Sequence, residues 1–279
     1  MTSTTLTGVR SWQRLAITNT FTKAVADRML LTVIAGAAMG AMSFVMGPMW
    51  LALEDVLLEM LEMMPEELFA IAGGVDMGSP SGWYTGEMYS ILVPFALMFV
   101  AVSSAARAFG GEMESLTLGL VMSTPTRRTR IAVDKAVAMV VHVVIASAII
   151  GLGTYLGIVL FGIDIGLGDV LAIHLMVTLL SVFVGGIAMV VSIVSGRGVL
   201  AILVAMLLAV LMYAWSSFPN MASSEFINDL AWLSPWHHFI ATDPMGTGVD
   251  WASAVLLAIL AVIPLVVGVY LFKRRDVAA

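Results

Sequence analysis

The chain has 279 residues, of which 60% are hydrophobic and only 11% are charged, and its mean hydropathy is +1.01. This composition is typical of an integral membrane protein and excludes an ordinary soluble globular domain. The formal charge of −6 gives no support to a nucleic-acid partner. Because the sequence contains no cysteine, disulfides, thiolate catalysis and cysteine metal ligands are excluded.

Six apolar stretches are long enough to cross a bilayer, since a membrane-spanning helix needs roughly 20 apolar residues. They lie at residues 29–50, 88–106, 136–161, 170–195, 199–217 and 252–272. The predicted fold class is an all-α integral membrane protein with six transmembrane helices in one domain, 29–272.

All thirteen Lys and Arg residues fall on one side of this six-span arrangement. The loops on the other side, 51–87, 162–169 and 218–251, contain none and are rich in Asp and Glu. Lys and Arg near the ends of spans are retained in the cytoplasm. We therefore expect both termini to be cytoplasmic and these three loops to face outward, in a multi-pass protein of the plasma membrane.

The outer segment 51–87 begins with apolar and acidic side chains at helical spacing. Residues 51–69 therefore predict an amphipathic helix that lies along the outer interface. Its acidic face is expected to be solvated, although recruitment of a cationic substrate or an outer partner stays open.

The loop between the second and third stretches, residues 107–130, predicts a short surface helix on the cytoplasmic face. Gly110 and Gly111 are expected to end the preceding span, and Glu112 and Glu114 suit the positive end of a helix dipole. An apolar stripe and a terminating proline follow, at Leu116, Leu120, Val121 and Pro125.

This loop resembles a segment of the ABC-2 type permeases, the membrane subunits of type-two ABC exporters. Their second cytoplasmic segment typically reads Glu-x-Glu-x-Gly-Thr-Leu-Glu-x-Leu-Leu-Ser-x-Pro-x-Ser-Arg, with Gly-Lys some residues later. The matches are Glu112, Glu114, Thr117, Leu118, Leu120 or Val121, Ser123, Pro125, Arg128 and Lys135. Leu116, Gly119 and Arg127 stand where the family usually has Gly, Glu and Ser.

In that family the segment is the coupling helix that docks into the ATPase subunit. The resemblance implies an ATPase-coupling role for Glu112, Glu114, Leu116, Thr117, Leu120, Ser123, Pro125, Arg127 and Arg128. The segment 1–28, with Arg10, Trp12, Arg14 and Arg28, resembles the family's amphipathic connecting helix, which runs along the cytoplasmic interface and also touches the ATPase. The basic tail 273–279 is similar to the family's short cytoplasmic tail.

The resemblance implies half of a translocation pathway, completed by a second copy or a similar permease in contact with membrane lipid. ATP and Mg²⁺ would be bound by partner ABC ATPase subunits, because this sequence has no phosphate-binding loop of the Walker type. We expect no catalytic residue, metal or cofactor in this chain. The expected substrate is a hydrophobic or amphipathic compound, such as a drug, an antibiotic or a lipid, exported across the membrane of a prokaryote.

Other hypotheses remain open at this point. Thioether and imidazole ligands suit Cu(I), which raises a copper-related ABC system on Met39, Met42, Met46, Met49, His237 and His238. An ATP-independent channel or membrane scaffold tolerates the same apolar spans. An intramembrane enzyme would need paired catalytic groups at depth, and His142 with Ser147 is a poor substitute for such a pair. We expect His142 and His174 either to be hydrogen-bonded between packed helices or to snorkel to the membrane interface.

Overall fold

The computed structural model describes residues 19–62, 78–115, 126–217 and 230–275, and within these ranges it contains helices and turns but no strand. The long helices are α1 (Thr20–Glu62), α3 (Leu92–Ala106), α5 (Arg128–Leu160), α6 (Leu167–Ser195), α7 (Gly198–Ser217) and α10 (Trp251–Arg274). The short ones are α2 (Pro80–Tyr84), α4 (Glu112–Glu114), α8 (Pro235–Ile240) and α9 (Pro244–Thr247).

Six helices of the described chain are long and apolar enough to cross a membrane, one for each predicted stretch. The predicted all-α, multi-pass architecture is therefore confirmed. In the outer segment 218–251 the described part folds into the single turn Ala231–Leu233 followed by α8 and α9.

Helix α1 runs through two predicted boundaries. It includes residues 20–28 of the predicted connecting segment and residues 51–62 of the predicted outer helix, so neither range forms a separate element. Pro48 lies inside this helix of 43 residues without ending it. At 1.5 Å per residue α1 is about 65 Å long, roughly twice the hydrocarbon core of a bilayer, so it must tilt or project beyond the membrane.

The prediction that Gly110 and Gly111 end the second span was wrong. The chain stays helical from α3 through a wider π-helical turn, Arg107–Gly111, into α4. Gly110 serves close packing instead, because a Cβ atom at this position would overlap the backbone of Gly198 at the start of α7. The carboxylates of Glu112 and Glu114 consequently lie at the C-terminal end of a long helical run.

Close contact between α1 and α5 depends on glycines of both helices. A Cβ atom at Gly153 would overlap the backbone of Gly40, and one at Gly157 would lie 2.7 Å from the carbonyl oxygen of Phe44. Gly36 faces Ala146 and Ile149 in the same way. The two G-x-x-x-G motifs, which predicted only that helices approach closely, therefore lie on helices that face each other.

Helix α6 is the centre of the bundle and contacts α3, α5, α7 and α10. In the apolar parts of α3 and α6 most residues are buried inside the bundle, whereas in those of α1, α7 and α10 fewer than a third of the residues are buried. Gly186 of α6 accommodates the ring of Pro264, and Gly268 of α10 lies against Met189. Gly196 joins α6 to α7 in a left-handed conformation (φ 71°), which glycine adopts without strain.

The ends of the helices define two ends of the bundle. We call the basic end the one formed by the start of α1, α4, the starts of α5 and α7, and the ends of α6 and α10. The opposite end, which we call the acidic end, is formed by the start of α10 and the neighbouring ends of the other long helices. There Asp250 begins α10 by accepting hydrogen bonds from the backbone N–H groups of Ala252 and Ser253. Hydrogen bonds from Ser253 hold the pKa of Asp250 below its ordinary value.

Candidate functional site

The basic end contains an ion-pair cluster centred on Glu112. One carboxylate oxygen of Glu112 lies 2.6 Å from Nζ of Lys135, and the other lies 3.0 Å from Nζ of Lys23. The side chain of Lys135 is 1% exposed and that of Glu112 is 12% exposed. A charge taken out of water needs close partners, so this cluster holds α1, α4 and α5 together in one arrangement.

Lys135 has two further contacts that compensate its burial. Its ammonium group donates a hydrogen bond to the backbone oxygen of Ala108, and it lies 5.2 Å from the centroid of the Phe109 ring. Phe109 in turn packs edge-on against Phe272 near the end of α10, with ring centroids 5.6 Å apart. The cluster around Glu112 is thus continuous with aromatic packing that reaches α10.

Glu114 connects the same helical run to α7. Its carboxylate accepts a hydrogen bond of 3.1 Å from the backbone N–H of Gly198, the first residue of α7. A helix N-terminus carries unsatisfied N–H groups and a partial positive charge, so a carboxylate there is stabilising. The sequence predicted a helix-dipole interaction of Glu112 and Glu114 with their own surface helix, whereas this contact of Glu114 is with the start of α7, a helix distant in sequence.

The residues that follow 116–125 also contact the bundle. Arg127 is exposed and precedes α5 in an extended conformation. Arg128 begins α5 and donates a 2.8 Å hydrogen bond to the backbone oxygen of Arg275, just after α10. Residues 116–125 are therefore flanked on both sides by contacts to transmembrane helices.

The predicted site residues fall into two groups. Glu112, Glu114, Arg127, Arg128 and Arg28 are described, and all five lie at the basic end. Arg28 is half-buried, and its Nε atom has no hydrogen-bond partner within the described chain. The remaining predicted residues lie outside the described residues: Arg10, Trp12, Arg14, Leu116, Thr117, Leu120, Ser123 and Pro125.

Three partners of the carboxylates were not among the predicted site residues: Lys23, Lys135 and Gly198. Lys135 matched the family pattern and directly precedes an apolar stretch, which is the only signal that could have identified it. Lys23 is 89 residues from Glu112, and Gly198 is 84 residues from Glu114. Contacts over such separations follow from helix packing and cannot be read from local spacing.

His142 and His174 are both hydrogen-bonded between packed helices, which is the first of the two expected arrangements. His142 on α5 bonds to Ser104 of α3 at 2.7 Å and to the backbone oxygen of Val25 of α1 at 2.9 Å. His142 therefore joins three helices a few turns from the Glu112 cluster. The pairing of His142 with Ser147 does not form, because Ser147 contacts His174 instead.

His174 belongs to a buried polar network nearer the acidic end. It lies 2.8 Å from the hydroxyl of Tyr89 and 2.9 Å from that of Ser147. Thr154 bonds to Tyr89, and Thr178 donates to Ser147. These bonds connect the turn before α3 to α5 and α6, and each of these polar groups is paired within the bundle.

No described group of three or more His, Asp or Glu side chains is placed to hold a metal ion. The methionine stripe of α1 is divided between surface and interior. Met46 is buried, whereas Met42 and Met49 are exposed. The stripe thus contributes partly to packing and partly to the outer surface of the bundle.

Comparison with known proteins identifies the family. The family model for ABC-2 family transporter proteins matches residues 9–277, which is nearly the whole chain. No curated protein and no solved structure matches the sequence. With six helices able to cross a membrane and a family match of this length, the chain belongs to the ABC-2 transporter family and is a multi-pass membrane permease of an ABC system.

Proposed function

We propose that this permease is the membrane-spanning subunit of an ATP-binding cassette exporter in a prokaryotic plasma membrane. The basic end faces the cytoplasm, and residues 107–130 receive motion from a separate ABC ATPase that binds ATP and Mg²⁺. A second copy, or a similar permease, completes the translocation pathway. The exported compound is hydrophobic or amphipathic.

The contacts of the described residues on either side of 116–125 support this proposal most strongly. On one side Glu112 contacts α1 and α5, and Glu114 contacts α7. On the other side Arg128 contacts the chain at the end of α10. A displacement of this segment by a partner would therefore reach four membrane helices directly, as a coupling element requires.

The distribution of charge supports the proposed orientation. Every Lys and Arg among the described residues lies in the segments that the fold brings to the basic end, and the sequence of the loops at the acidic end contains none. Retention of Lys and Arg in the cytoplasm then places the basic end inside the cell.

The apolar character of the spans supports an external source of energy. Transport driven by an ion gradient usually relies on ionisable groups within the membrane that bind or relay the ion. Here the charged cluster of Glu112 and Lys135 lies at the basic end, and His142 and His174 are held by hydrogen bonds. Together with the absence of a Walker sequence, this favours ATP hydrolysis in another polypeptide.

Affinity purification tests the proposal. The tagged permease is extracted in mild detergent, and the proteins that copurify are identified by mass spectrometry. A Glu114→Lys, Pro125→Ala variant alters the proposed coupling segment. Glu59→Lys is the control, because it reverses the same kind of charge near the C-terminal end of α1, away from the basic end. We expect a Walker-containing ATPase with the wild type and with Glu59→Lys, but not with the coupling variant. Recovery of the permease alone, even after crosslinking in the membrane, would instead support a channel or scaffold.

A further inference from the structure

An apolar groove runs between α5 and α10 near the basic end. Its volume is about 290 Å³, and every side chain that lines it is Val, Ala or Leu. The small side chain of Ala136 lies between the larger Val133 and Val137 on α5, and Val266 and Val269 line the opposite wall on α10. Val133, Val137 and Val266 are exposed, so the groove opens towards the surroundings of the bundle.

Two cations lie at the mouth of this groove. Arg130 is three residues before Val133, and Lys273 is four residues after Val269, so each shares a helix face with the groove lining. Both are exposed, and neither forms an ion pair within the described residues. The bond from Arg128 to the backbone oxygen of Arg275 brings the two helix ends together, so Arg130 and Lys273 both lie about one helical turn beyond the groove lining, on the side of the basic end.

We propose that this groove binds an anionic phospholipid from the leaflet at the basic end. One acyl chain lies along Val137 and Val266, and the phosphate lies between Arg130 and Lys273. An apolar groove within a membrane is covered by hydrocarbon rather than by water, and the acyl chain of a lipid supplies that hydrocarbon. A zwitterionic lipid also carries a phosphate, but its cationic headgroup would lie beside Arg130 and Lys273, which explains the preference for a headgroup with a net negative charge.

Charge also argues against a second copy of the chain in this groove. Copies in the same membrane orientation have their basic ends at the same level. A copy seated on the groove would therefore bring further Lys and Arg towards Arg130 and Lys273. Glu112 and Glu114 at this end are already engaged by Lys135, Lys23 and Gly198, which leaves Asp27 and Asp134 as the described carboxylates that a copy could offer against the more numerous Lys and Arg.

Lipid retention tests the site with the purified permease alone, so its result does not depend on the ATPase. The permease is reconstituted in an equimolar mixture of phosphatidylcholine and phosphatidylglycerol, extracted in mild detergent and analysed by native mass spectrometry. Arg130→Gln with Lys273→Gln removes the headgroup contacts. Arg197→Gln is the control, an exposed cation in the turn between α6 and α7.

The wild type and Arg197→Gln should retain phosphatidylglycerol in preference to phosphatidylcholine. The double variant should lower this preference about thirtyfold, since each of the two cations near an anionic surface contributes on the order of 1 kcal/mol. Equal retention of the two lipids by the wild type would overturn the proposal. An unchanged preference in the double variant, with an unchanged melting temperature, would also overturn it.

A substitution that fills the groove provides a second, independent test of the lipid site. Val137→Trp should reduce retention of both lipids, whereas Leu203→Trp, on the exposed face of α7, should not. Gel filtration reports the oligomeric state of both variants. If Val137→Trp changed the oligomeric state but left lipid retention intact, the groove would be a contact between copies, contrary to the proposal.

Discussion

At the residue scale, Lys135 is buried between helices, and Glu112 compensates its charge. Replacement of Glu112 by Gln leaves two cations without a carboxylate partner. Breaking a fully buried ion pair costs about 3–5 kcal/mol. Because Glu112 and Lys23 are partly exposed, we expect the free energy of unfolding to fall by about 3 kcal/mol. The melting temperature in detergent should fall clearly with Glu112→Gln and remain unchanged with Glu59→Gln, an exposed carboxylate on α1.

A double-mutant cycle distinguishes this charge effect from loss of packing. Lys135→Met removes the buried charge, so Glu112→Gln should cost much less in that background than in the wild type. If the two substitutions were additive, the ion pair would not be what holds α4 to α5.

The hydroxyl of Tyr89 contacts both His174 and Thr154 inside the bundle. Tyr89→Phe should lower stability modestly, because hydrogen bonds between membrane helices contribute about 0.6 kcal/mol and at most about 1.7 kcal/mol each. The matched control is Tyr155→Phe, at a partly exposed tyrosine of α5. Equal melting temperatures for the two variants would show that the network around His174 contributes nothing to stability.

The sequence could identify Glu112 and Glu114 as important residues but not their contacts. Both carboxylates matched a family motif, and the motif placed them on a surface helix. Their partners come from α1, α5 and α7, and are brought close only when those helices pack. Side chains in the membrane interior followed a simpler rule, since the hydrogen-bonding groups of His142 and His174 needed partners there.

At the element scale, α1 and α5 approach closely along their glycines. Gly153→Val adds a side chain where even a Cβ atom would overlap the backbone of Gly40. The helices would have to separate, and overpacking of this kind costs typically about 1–3 kcal/mol. Gly168→Val in α6 is the control, because a Cβ atom there meets no other atom within 4 Å. The first variant should melt at a lower temperature than the second, and equal melting would contradict the contact.

Hydropathy predicted the spans well because the bilayer imposes both a length and an apolar composition on each crossing helix. It did not predict the ends of α1, since residues 20–28 and 51–62 are polar enough to leave the membrane yet continue the same helix. The structural role of a glycine also could not always be predicted from its neighbours in sequence. Gly40 and Gly153 indicated close packing, but the role of Gly110 depends on Gly198, which is distant in the chain.

At the scale of the whole molecule, orientation can be tested by cysteine labelling, because the chain has no cysteine of its own. Gly168→Cys places a thiol at the acidic end, and Arg197→Cys places one at the basic end. A membrane-impermeant maleimide added to intact cells should label only the first, and both after lysis. If only Arg197→Cys were labelled in intact cells, the basic end would face outward, opposite to the proposed orientation.

In the proposed function, ATP-driven motion of a partner reaches the membrane helices through Glu112 and Glu114. Pulsed electron paramagnetic resonance on the permease bound to its ATPase tests whether these two residues carry the motion. Spin labels at Leu30→Cys on α1 and Val194→Cys on α6 report helix movement at exposed positions near the basic end. Unlabelled copies are mixed in excess so that each complex contains a single labelled chain.

A non-hydrolysable ATP analogue should shift the distance between the two labels when Glu112 and Glu114 are intact. The shift should disappear with Glu112→Gln, Glu114→Gln, provided that the ATPase still copurifies with that variant. An equal shift in both proteins would contradict the claim and would place the coupling contacts elsewhere in the permease.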